Sequence, residues 1–431
     1  MTGRRFSAPL SEVAHALRGV ERSPLEYVGE LEDRIDAVDL EIHALLTEPG
    51  RDERVRAEAA AVEKAYPASH ERPPLYGVPV GVKDIFHVRG MLTRANSDLP
   101  PEVLTGTEAA AVSRLRGAGA VVMGKTVTTE FAYAAPGPTR NPHDTEHTPG
   151  GSSSGSAAGV AAGLFPLALG SQTGGSVLRP AAYCGIVGFK PSYDRIPTAG
   201  VLPLAPSLDH VGFFTQDVAG ARLAASVLCD GWEDPDSGGR PVLGVPDDAY
   251  LELADDVGRR SFEGHVEALA SAGYTVRRTS LFSNAAEIAD RHQTLMSAEA
   301  ALAHHEWFEE YGDRYRERTA EFIEAGREVT TDELAAARAG QGELRAEVEE
   351  TMVEEGIDCW IAPAAPGPAP EGIDSTGSSI MNRFFTYVGL PAVSLPAGAH
   401  DGLPVGLQCV AGRMEGERLL GWADGLRDAL S

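Results

Sequence analysis

One short stretch near the middle of the chain has the composition of a nucleophilic serine site. In GSQTGGSVLRP (170–180), Gly174 and Gly175 precede Ser176, and an apolar run comes before them. Glycines let the backbone turn sharply, so the N–H groups from Thr173 to Ser176 can converge and hold a developing oxyanion. Ser176 would then be the nucleophile. The alternative is a tight turn that the serine merely caps.

A nucleophilic serine needs a base, and two familiar serine motifs do not supply one here. Residues 151–155 match G-x-S-x-G, but the segment before them contains two prolines and no apolar strand. No serine stands in S-x-x-K spacing with a lysine. Lys83 ends the apolar run VPVGVK, where burial would lower its pKa and leave a neutral, basic amine. The alternative for Lys83 is a buried ion pair with Asp84 or another carboxylate.

Lysine is rare in this chain, so each one is informative. Among 37 basic residues the lysines are Lys64, Lys83, Lys125 and Lys190, and the others are arginine. A lysine can lose its proton when buried, whereas an arginine stays charged. We expect Lys64 on the surface and Lys125 and Lys190 in buried structural pairs, with Asp209 as a candidate partner.

The segments that would position these residues alternate between short apolar runs and helical patterns. Residues 78–86 and 120–124 are typical of buried strands, and residues 108–120 between them of a helix that ends in glycine. This alternation predicts a mainly parallel sheet covered by helices. Residues 284–355 are charged and helical in pattern, and strand-like runs resume after them. We therefore expect a helical lobe over one sheet, with a separate domain as the alternative.

Residues 149–159, PGGSSSGSAAG, have the composition of a flexible linker. They lie, however, between apolar segments that we assign to one sheet. The stretch either tethers two folding units or bends the backbone closely around a site.

Composition excludes several classes of function. The chain has 431 residues, 43% of them hydrophobic, which is enough for a buried core. A formal net charge of -26 without a basic cluster argues against nucleic-acid binding. No apolar run approaches the roughly 20 residues of a membrane span, and no signal peptide is evident, so we expect a cytoplasmic protein. The cysteines and histidines show no metal-binding spacing, and we expect no metal or other cofactor.

Several long segments, in order along nearly the whole chain, resemble the amidase signature family of serine hydrolases. They are LYGVPVGVKDIFHVRGMLTRANS, GGSSSGSAAGVAAG followed by GSQTGGSVLRPAAYCGIVGFKPS, IPTAGVLPLAPSLDHVG, and GLPAVSLPAG with GLPVGLQCVAG. The resemblance implies an α/β fold. Its expected form is a central mixed, twisted sheet covered by helices on both faces, with a mostly helical lobe.

The resemblance also implies a Ser-Ser-Lys triad. Ser176 matches the acylated nucleophile and Lys83 the base. Ser152 matches the middle serine, whose backbone adopts a cis peptide in the family. The N–H groups of Thr173, Gly174, Gly175 and Ser176 would form the oxyanion hole, and no cofactor is needed.

Two neighbours of the nucleophile carry further expectations. Arg179 matches a family arginine, and we interpret it as a structural ion-pair residue, with substrate binding as the alternative. Gln172 stands where the family usually has Asp or Glu, four residues before the nucleophile. This departure leaves the triad intact, but fine turn geometry and substrate subgroup cannot be carried over from the family.

The activity implied is hydrolysis of a small-molecule carboxamide to a carboxylate and ammonia or an amine. The alternative is the amidase subunit of a tRNA-dependent amidotransferase complex. We expect the pocket walls in residues 126–147 and 364–387 and in the helical lobe. Aromatic residues of those walls could line an acyl site or pack in the core, namely Phe131, Tyr133, Phe384, Phe385 and Tyr387.

We expect one amidase-signature domain over residues 1–431. Within it, residues 1–70 would be an N-terminal helical part and residues 71–230 the signature core. Residues 231–355 would form an α/β and helical insertion or lobe, and residues 356–431 the strands and helix that complete the core. Expected partners are the amide substrate and, as one assembly to test, a second copy in a homodimer.

Overall fold

The computed structural model describes residues 8–19, 21–233 and 239–430. In this part of the chain, ten strands form one sheet and fourteen α-helices accompany it. The strands are β1 (Pro79–Lys83), β2 (Val121–Thr126), β3 (Leu167–Gln172), β4 (Val187–Lys190), β5 (His210–Thr215), β6 (Leu243–Pro246), β7 (Val276–Thr279), β8 (Cys359–Pro363), β9 (Ala392–His400) and β10 (Leu403–Ala411). The helices are α1 (Leu10–Arg18), α2 (Pro24–Ile42), α3 (Arg51–Ala65), α4 (Ala110–Gly117), α5 (Ser154–Ala161), α6 (Leu178–Cys184), α7 (Val218–Leu228), α8 (Asp256–Ser271), α9 (Ala285–Ala303), α10 (His305–Tyr311), α11 (Glu317–Arg327), α12 (Thr331–Glu354), α13 (Ile380–Tyr387) and α14 (Gly416–Ala429).

The sheet is mixed, with parallel pairs toward both edges and antiparallel pairs in the centre. Its order is β2-β1-β3-β5-β4-β9-β10-β8-β6-β7. β1 is parallel to β2 and β3, and β6 is parallel to β7 and β8, whereas the pairs from β3 across to β8 are antiparallel. The predicted α/β fold with a mixed sheet is confirmed. The expectation of a mainly parallel sheet is wrong, since a direct turn such as the one joining β9 to β10 reverses the strand without a crossover helix.

Burial explains why the strands near the site are readable as apolar runs. Every residue of β1, β2, β3, β4 and β5 is buried. α5 packs on β1, β2 and β3, and α6 packs on β4, β9 and β10. Strands covered in this way need side chains that are apolar on both faces rather than alternating.

Local sequence signals fix several element ends. Ser23 accepts a hydrogen bond from the N–H of Glu26, and the Glu26 carboxylate accepts one from the N–H of Ser23, so the two residues form a capping box at the start of α2. The helical character of residues 284–355 is also confirmed, because α9 to α12 occupy them. α9 packs against α11, α12 and α13, and its His292 contacts the carbonyl of Thr173. Among the described helices, none has both the length and the apolar composition required to cross a membrane.

Candidate active site

The topology of the sheet brings Lys83 close to the serine-bearing turn. Lys83 is the last residue of β1, and the turn 173–177 follows β3 directly. β1 and β3 are parallel neighbours, so their carboxyl ends lie at the same edge of the sheet. Ser152 precedes α5, which packs on both strands. Three segments that are distant in sequence therefore meet at one place.

Lys83 contacts serines and not a carboxylate. Its Nζ lies 2.7 Å from the Oγ of Ser152 and 2.8 Å from the Oγ of Ser171, and the side chain is fully buried. Burial lowers the pKa of Lys83 well below its usual value. Asp84, the partner that a buried ion pair would use, instead lies 2.7 Å from the Nζ of Lys125. The alternative of an ion pair between Lys83 and Asp84 is therefore wrong.

The glycine- and serine-rich stretch is buried throughout residues 149–159 and is not a linker between units. The Gly151–Ser152 peptide bond is cis, in agreement with the family pattern. Ser153 Oγ contacts the backbone of Ser171 at 3.2 Å in both directions, as donor to the carbonyl and as acceptor from the N–H. Ser154 donates a long hydrogen bond of 3.4 Å to the carbonyl of Ser152. These bonds fasten the stretch to β3 and hold Ser152 at Lys83.

Ser176 lies on the turn at the floor of a cavity of about 230 Å³ and is 9% exposed. In the part of the chain that the structure describes, the N–H groups of Gly174, Gly175 and Ser176 have no acceptor from the protein. Arg179 donates to the carbonyl of Gly151, which places the turn beside Ser152. No hydrogen bond between described residues joins Ser176 to Ser152 or to Lys83.

The side-chain amide of Gln172 holds the turn by hydrogen bonds. Its Oε1 accepts hydrogen bonds from the N–H groups of Val177, at 2.8 Å, and Leu178, at 3.0 Å. Its Nε2 donates to the Oγ of Thr386 on α13 at 2.8 Å. The amide therefore holds the start of α6 through its oxygen and α13 through its nitrogen. A carboxylate could do only the first of these as an acceptor, because it has no donor.

Two expectations about charged residues near the turn are wrong. Arg179 is not an ion-pair residue: it donates to the carbonyls of Gly151 and Gly377 and to the hydroxyl of Thr376. Asp209 pairs with neither Lys125 nor Lys190. Its carboxylate instead accepts from the hydroxyl of Thr173 and from two backbone N–H groups, and burial raises its pKa to about 6.

Lys190 also lacks the predicted carboxylate partner. Its Nζ donates to the backbone carbonyls of Pro191 and Leu390, and burial lowers its pKa to about 7. Lys64 is exposed on α3, as expected. Of the two expected structural lysine pairs, the one at Lys125 is confirmed and the one at Lys190 is wrong.

The predicted walls do supply the cavity lining, but through fewer aromatic residues than expected. Of the five aromatic candidates, Tyr133 lines the cavity. The other four pack in the interior among buried rings and helices: Phe131 against His304, Trp307 and Tyr315, Phe384 and Phe385 against Tyr250 and Phe282, and Tyr387 with its hydroxyl on the carbonyl of Ala337. The remaining walls are Ala132–Ala134, Ser375–Ser379 and side chains from α9, α11 and α13.

The sequence analysis did not identify Ser171 or His292 as residues of the site. Ser171 lies five residues before Ser176 and points to Lys83, a position that strand alternation alone could have suggested. His292, on α9, places its Nε2 2.9 Å from the carbonyl of Thr173 and is buried. Burial lowers the pKa of His292 to about 3, so the ring is neutral. Only the packing of α9 against the turn reveals it.

Comparison with known proteins now gives the class. The glutamyl-tRNA(Gln) amidotransferase A subunit of Koribacter versatilis (strain Ellin345) is 32% identical over 457 aligned positions, which cover 92% of this chain and 93% of that protein. A crystal structure of an amidase superposes with a TM-score of 0.90 and 33% identity, covering 98% of this chain and 100% of the other. A structure of 6-aminohexanoate cyclic dimer hydrolase with substrate gives a TM-score of 0.84 and 26% identity, covering 98% and 97%. The chain is an enzyme, a hydrolase of carbon–nitrogen bonds.

The family follows from the extent of the match. The model of the Amidase family matches residues 26–420, which include both ends of the sheet and the helical lobe. The chain belongs to the amidase signature family.

Proposed function

We propose that this chain hydrolyses a small-molecule carboxamide through an acyl-enzyme on Ser176, with Ser152 and Lys83 as the proton relay. The observation that carries the proposal is the surroundings of Lys83. Its amine is buried 2.7 Å from the Oγ of Ser152, and in the described chain no carboxylate lies within ion-pair distance of it. Burial lowers the pKa of this amine although the charge of Asp209 opposes the shift, and a lysine in its neutral form is a competent general base.

The reaction follows from this arrangement. Lys83 accepts the proton of Ser152, Ser152 accepts that of Ser176, and the Oγ of Ser176 bonds to the carbonyl carbon of the amide. The carbonyl oxygen becomes an oxyanion, which the N–H groups of Thr173, Gly174, Gly175 and Ser176 would stabilise. The relay returns a proton to the nitrogen as the C–N bond breaks. Water then attacks the ester, and the second turnover of the relay releases the carboxylate and restores Ser176.

The turn and the relay are held together by Arg179. It bonds the carbonyl of Gly151, so the segment before Ser152 and the helix after Ser176 cannot separate without breaking a buried contact. The cavity above the turn, at about 230 Å³, is below the usual volume of a site for a drug-sized ligand. A cavity of this volume supports a small substrate over an extended polymer.

A second candidate function rests on the curated relatives. The A subunit of glutamyl-tRNA(Gln) amidotransferase from several bacteria matches over most of this chain, for example 96% of it in Synechococcus sp. (strain RCC307) at 32% identity. Under this alternative the chain would work as the amidase subunit of an assembly. Purification of the chain alone separates the two. Turnover of a small amide by the single component supports the proposal, and turnover only after partner subunits are added supports the alternative.

The lysine assignment is tested by Lys83→Met, with Lys64→Met on an exposed surface as the matched control. Methionine fills the buried site without a proton-accepting atom, so the protein should fold and lose kcat by about 10³-fold, as expected for loss of a general base. Because protonated Lys83 cannot act, activity of the unaltered enzyme should fall as pH is lowered through the pKa of that amine. Initial rates between about pH 5 and pH 9, with Tm as the folding check, measure both effects.

A Lys83→Met protein with nearly unchanged kcat would overturn the assignment of the base. Loss of activity in Lys64→Met as well would attribute the effect to the removal of any lysine, and the assignment would fail in the same way.

We also infer a cytoplasmic location. Its support is that Cys184, Cys229, Cys359 and Cys409 are free and buried, which is typical of proteins from reducing compartments. The homodimer stays a prediction.

A further inference from the structure

The charge of the cavity is opposite to the charge of the molecule. The chain carries 63 acidic and 37 basic residues. Yet three arginines, Arg179, Arg318 and Arg383, line the cavity above Ser176, and no Asp or Glu is among the described residues that line it. Because the chain as a whole has more acidic than basic residues, its overall composition does not explain the positive charge of the cavity. The positive charge is therefore a feature of the site.

The three arginines differ in what already occupies them. Arg179 is buried, and its two terminal nitrogens donate to two backbone carbonyls and one hydroxyl, so both are engaged in holding the turn. Among the described residues its Nε has no partner. Arg318 is exposed on α11 at the rim. A charge exposed to water interacts weakly with a ligand because the solvent screens it.

Arg383 is the arginine whose two terminal nitrogens are free among the described residues. It is half-buried on α13, and its Nε donates to the Oγ of Ser379 at 3.1 Å. For the described residues, no carboxylate lies within ion-pair distance of its guanidinium, and its two terminal nitrogens have no hydrogen-bond partner in the protein. Gly174 is close, since a Cβ built there would lie 3.7 Å from the Cγ of Arg383. A half-buried cation with open donors beside the turn is unfavourable until an anion pairs with it.

The groups around Arg383 leave its charge uncompensated. His292 is neutral, because burial first and then Arg383 itself lower its pKa. Burial raises the pKa of Tyr133, so this ring is an uncharged phenol at neutral pH. Glu321 on α11 is near Tyr133 but is exposed and does not line the cavity. Ser378 and Ser379 at the start of α13 add dipoles and hydroxyl donors.

We propose that Arg383 binds a carboxylate of the substrate, so that the enzyme prefers a small amide that carries an anionic carboxylate group in addition to the amide. The inference rests on the proposed amidase function and adds the substrate class. A planar guanidinium with two open nitrogens matches a carboxylate in a bidentate geometry. The same fork fixes the distance between the charged end of the substrate and the carbonyl that Ser176 attacks.

The test compares matched substrates that differ only in charge. On the acyl side the pairs are the monoamides of succinic, glutaric and adipic acids against butanamide, pentanamide and hexanamide. On the amine side the pair is N-acetylglycine against N-ethylacetamide. In at least one pair the unaltered enzyme should show a kcat/KM for the anionic member that is higher by roughly 10- to 100-fold, the range of a charge-assisted hydrogen bond.

The variants are Arg383→Gln, Arg383→Lys and, as the control, Arg260→Gln at an exposed position of α8. Arg383→Gln should remove the preference for the anionic member, Arg383→Lys should retain part of it, and Arg260→Gln should leave it as it was. Equal kcat/KM values within every pair for the unaltered enzyme would overturn the proposal. So would a preference that persists in folded Arg383→Gln protein.

Binding without turnover separates this inference from the proposed function. Calorimetry on Ser176→Ala protein, with succinamate, N-acetylglycine and butanamide as probes, should show the tighter binding of an anionic probe, which Arg383→Gln in the same background should abolish. If the enzyme hydrolyses no amide but binds an anionic probe through Arg383, the function fails and the carboxylate site stands. If neutral amides are hydrolysed and no anionic probe binds, the carboxylate site fails and the function stands.

Discussion

At the scale of single residues, three buried lysines show that burial alone does not define a base. Lys83 contacts two serine hydroxyls, Lys125 contacts Asp84, and Lys190 contacts backbone carbonyls. Adjacency in sequence suggested a pair between Lys83 and Asp84. Successive side chains at a strand end point to opposite faces, so Asp84 faces Lys125 on the neighbouring strand β2. The proposed proton relay requires an amine that contacts a serine hydroxyl, as that of Lys83 does.

Gln172 is the residue at which the sequence departs from the family pattern, and the structure gives it a definite role. Its oxygen accepts the N–H groups of Val177 and Leu178, and its nitrogen donates to Thr386. The hydroxyl of Thr386 in turn lies 2.7 Å from the carbonyl of Gly174. The amide thus connects the turn to α13 without adding a negative charge near the proposed oxyanion hole.

Gln172→Met should lower the free energy of unfolding by roughly 2–4 kcal/mol, because two buried backbone donors lose their acceptor. Gln172→Glu keeps both acceptor contacts, so its loss of stability should be smaller. Urea unfolding followed by circular dichroism gives the order, and kcat measured on folded Gln172→Glu protein reports the effect of the added charge.

A Gln172→Met protein as stable as the unaltered enzyme would contradict the capping role. Unchanged kinetics in Gln172→Glu would show that the charge at this position is incidental to catalysis.

At the scale of elements, the approach of α13 to the turn dictates which glycine is required. A Cβ on Gly175 would lie 2.4 Å from the Oδ1 of Asn382 and 2.8 Å from the Cβ of Ser379. Neither Gly174 nor Gly175 has a positive φ, so conformational freedom is not the reason for a glycine there. At Gly174 the nearest atom would be 3.4 Å away, in ordinary contact. Close packing of a helix, and not turn chemistry, therefore excludes a side chain at Gly175.

Gly175→Ala should consequently move the turn or α13 and lower the free energy of unfolding by about 1–3 kcal/mol, the usual cost of overpacking. Because the proposed oxyanion donors move with the turn, kcat should fall as well. Gly174→Ala is the matched variant, and we expect its loss of stability to be smaller. Chemical unfolding of both variants measures the difference. Equal stability losses at the two positions would contradict the packing argument.

The element scale also shows how far sequence patterns reach. The strands that flank the site are visible as apolar runs, because both of their faces are buried. The start of α2 is visible as a capping box, because the hydrogen bonds that form it join residues close in sequence. β5 and α13 were not predicted. β5 is as long as β2 and β3, but His210 and Gly212 interrupt its apolar run, and pairing with β3 and β4 on both sides makes it a strand. Such tertiary support is not visible in the local sequence.

At the scale of the whole molecule, the candidate site combines residues from opposite ends of the chain. Lys83, Ser152 and Ser176 could be found because each stands in a long family-like motif. Strand alternation could have suggested Ser171 as well, whereas His292 and Arg383 could not be found, since the packing of α9 against the turn and the start of α13 place them there. The positions of the residues that would select a substrate follow from packing between distant segments, which a single sequence does not encode locally.

The net charge of the whole molecule leads to a prediction about salt. Even with every basic residue paired, 26 carboxylates would remain unpaired at neutral pH, as the net charge of -26 requires. Their mutual repulsion disfavours the compact state, whereas each exposed ion pair contributes only about 0–1 kcal/mol, so screening should relieve more repulsion than attraction.

Raising NaCl from about 10 mM to about 300 mM shortens the screening length from about 30 Å to below 10 Å. At pH 7.5 this change should raise the free energy of unfolding by on the order of 1 kcal/mol. At pH 5, close to the isoelectric point of 4.8, the same addition should have far less effect, because few excess charges remain. Urea midpoints at both pH values measure the difference, and an equal salt effect at the two would show that it arises from ion-specific solvation and not from the net charge.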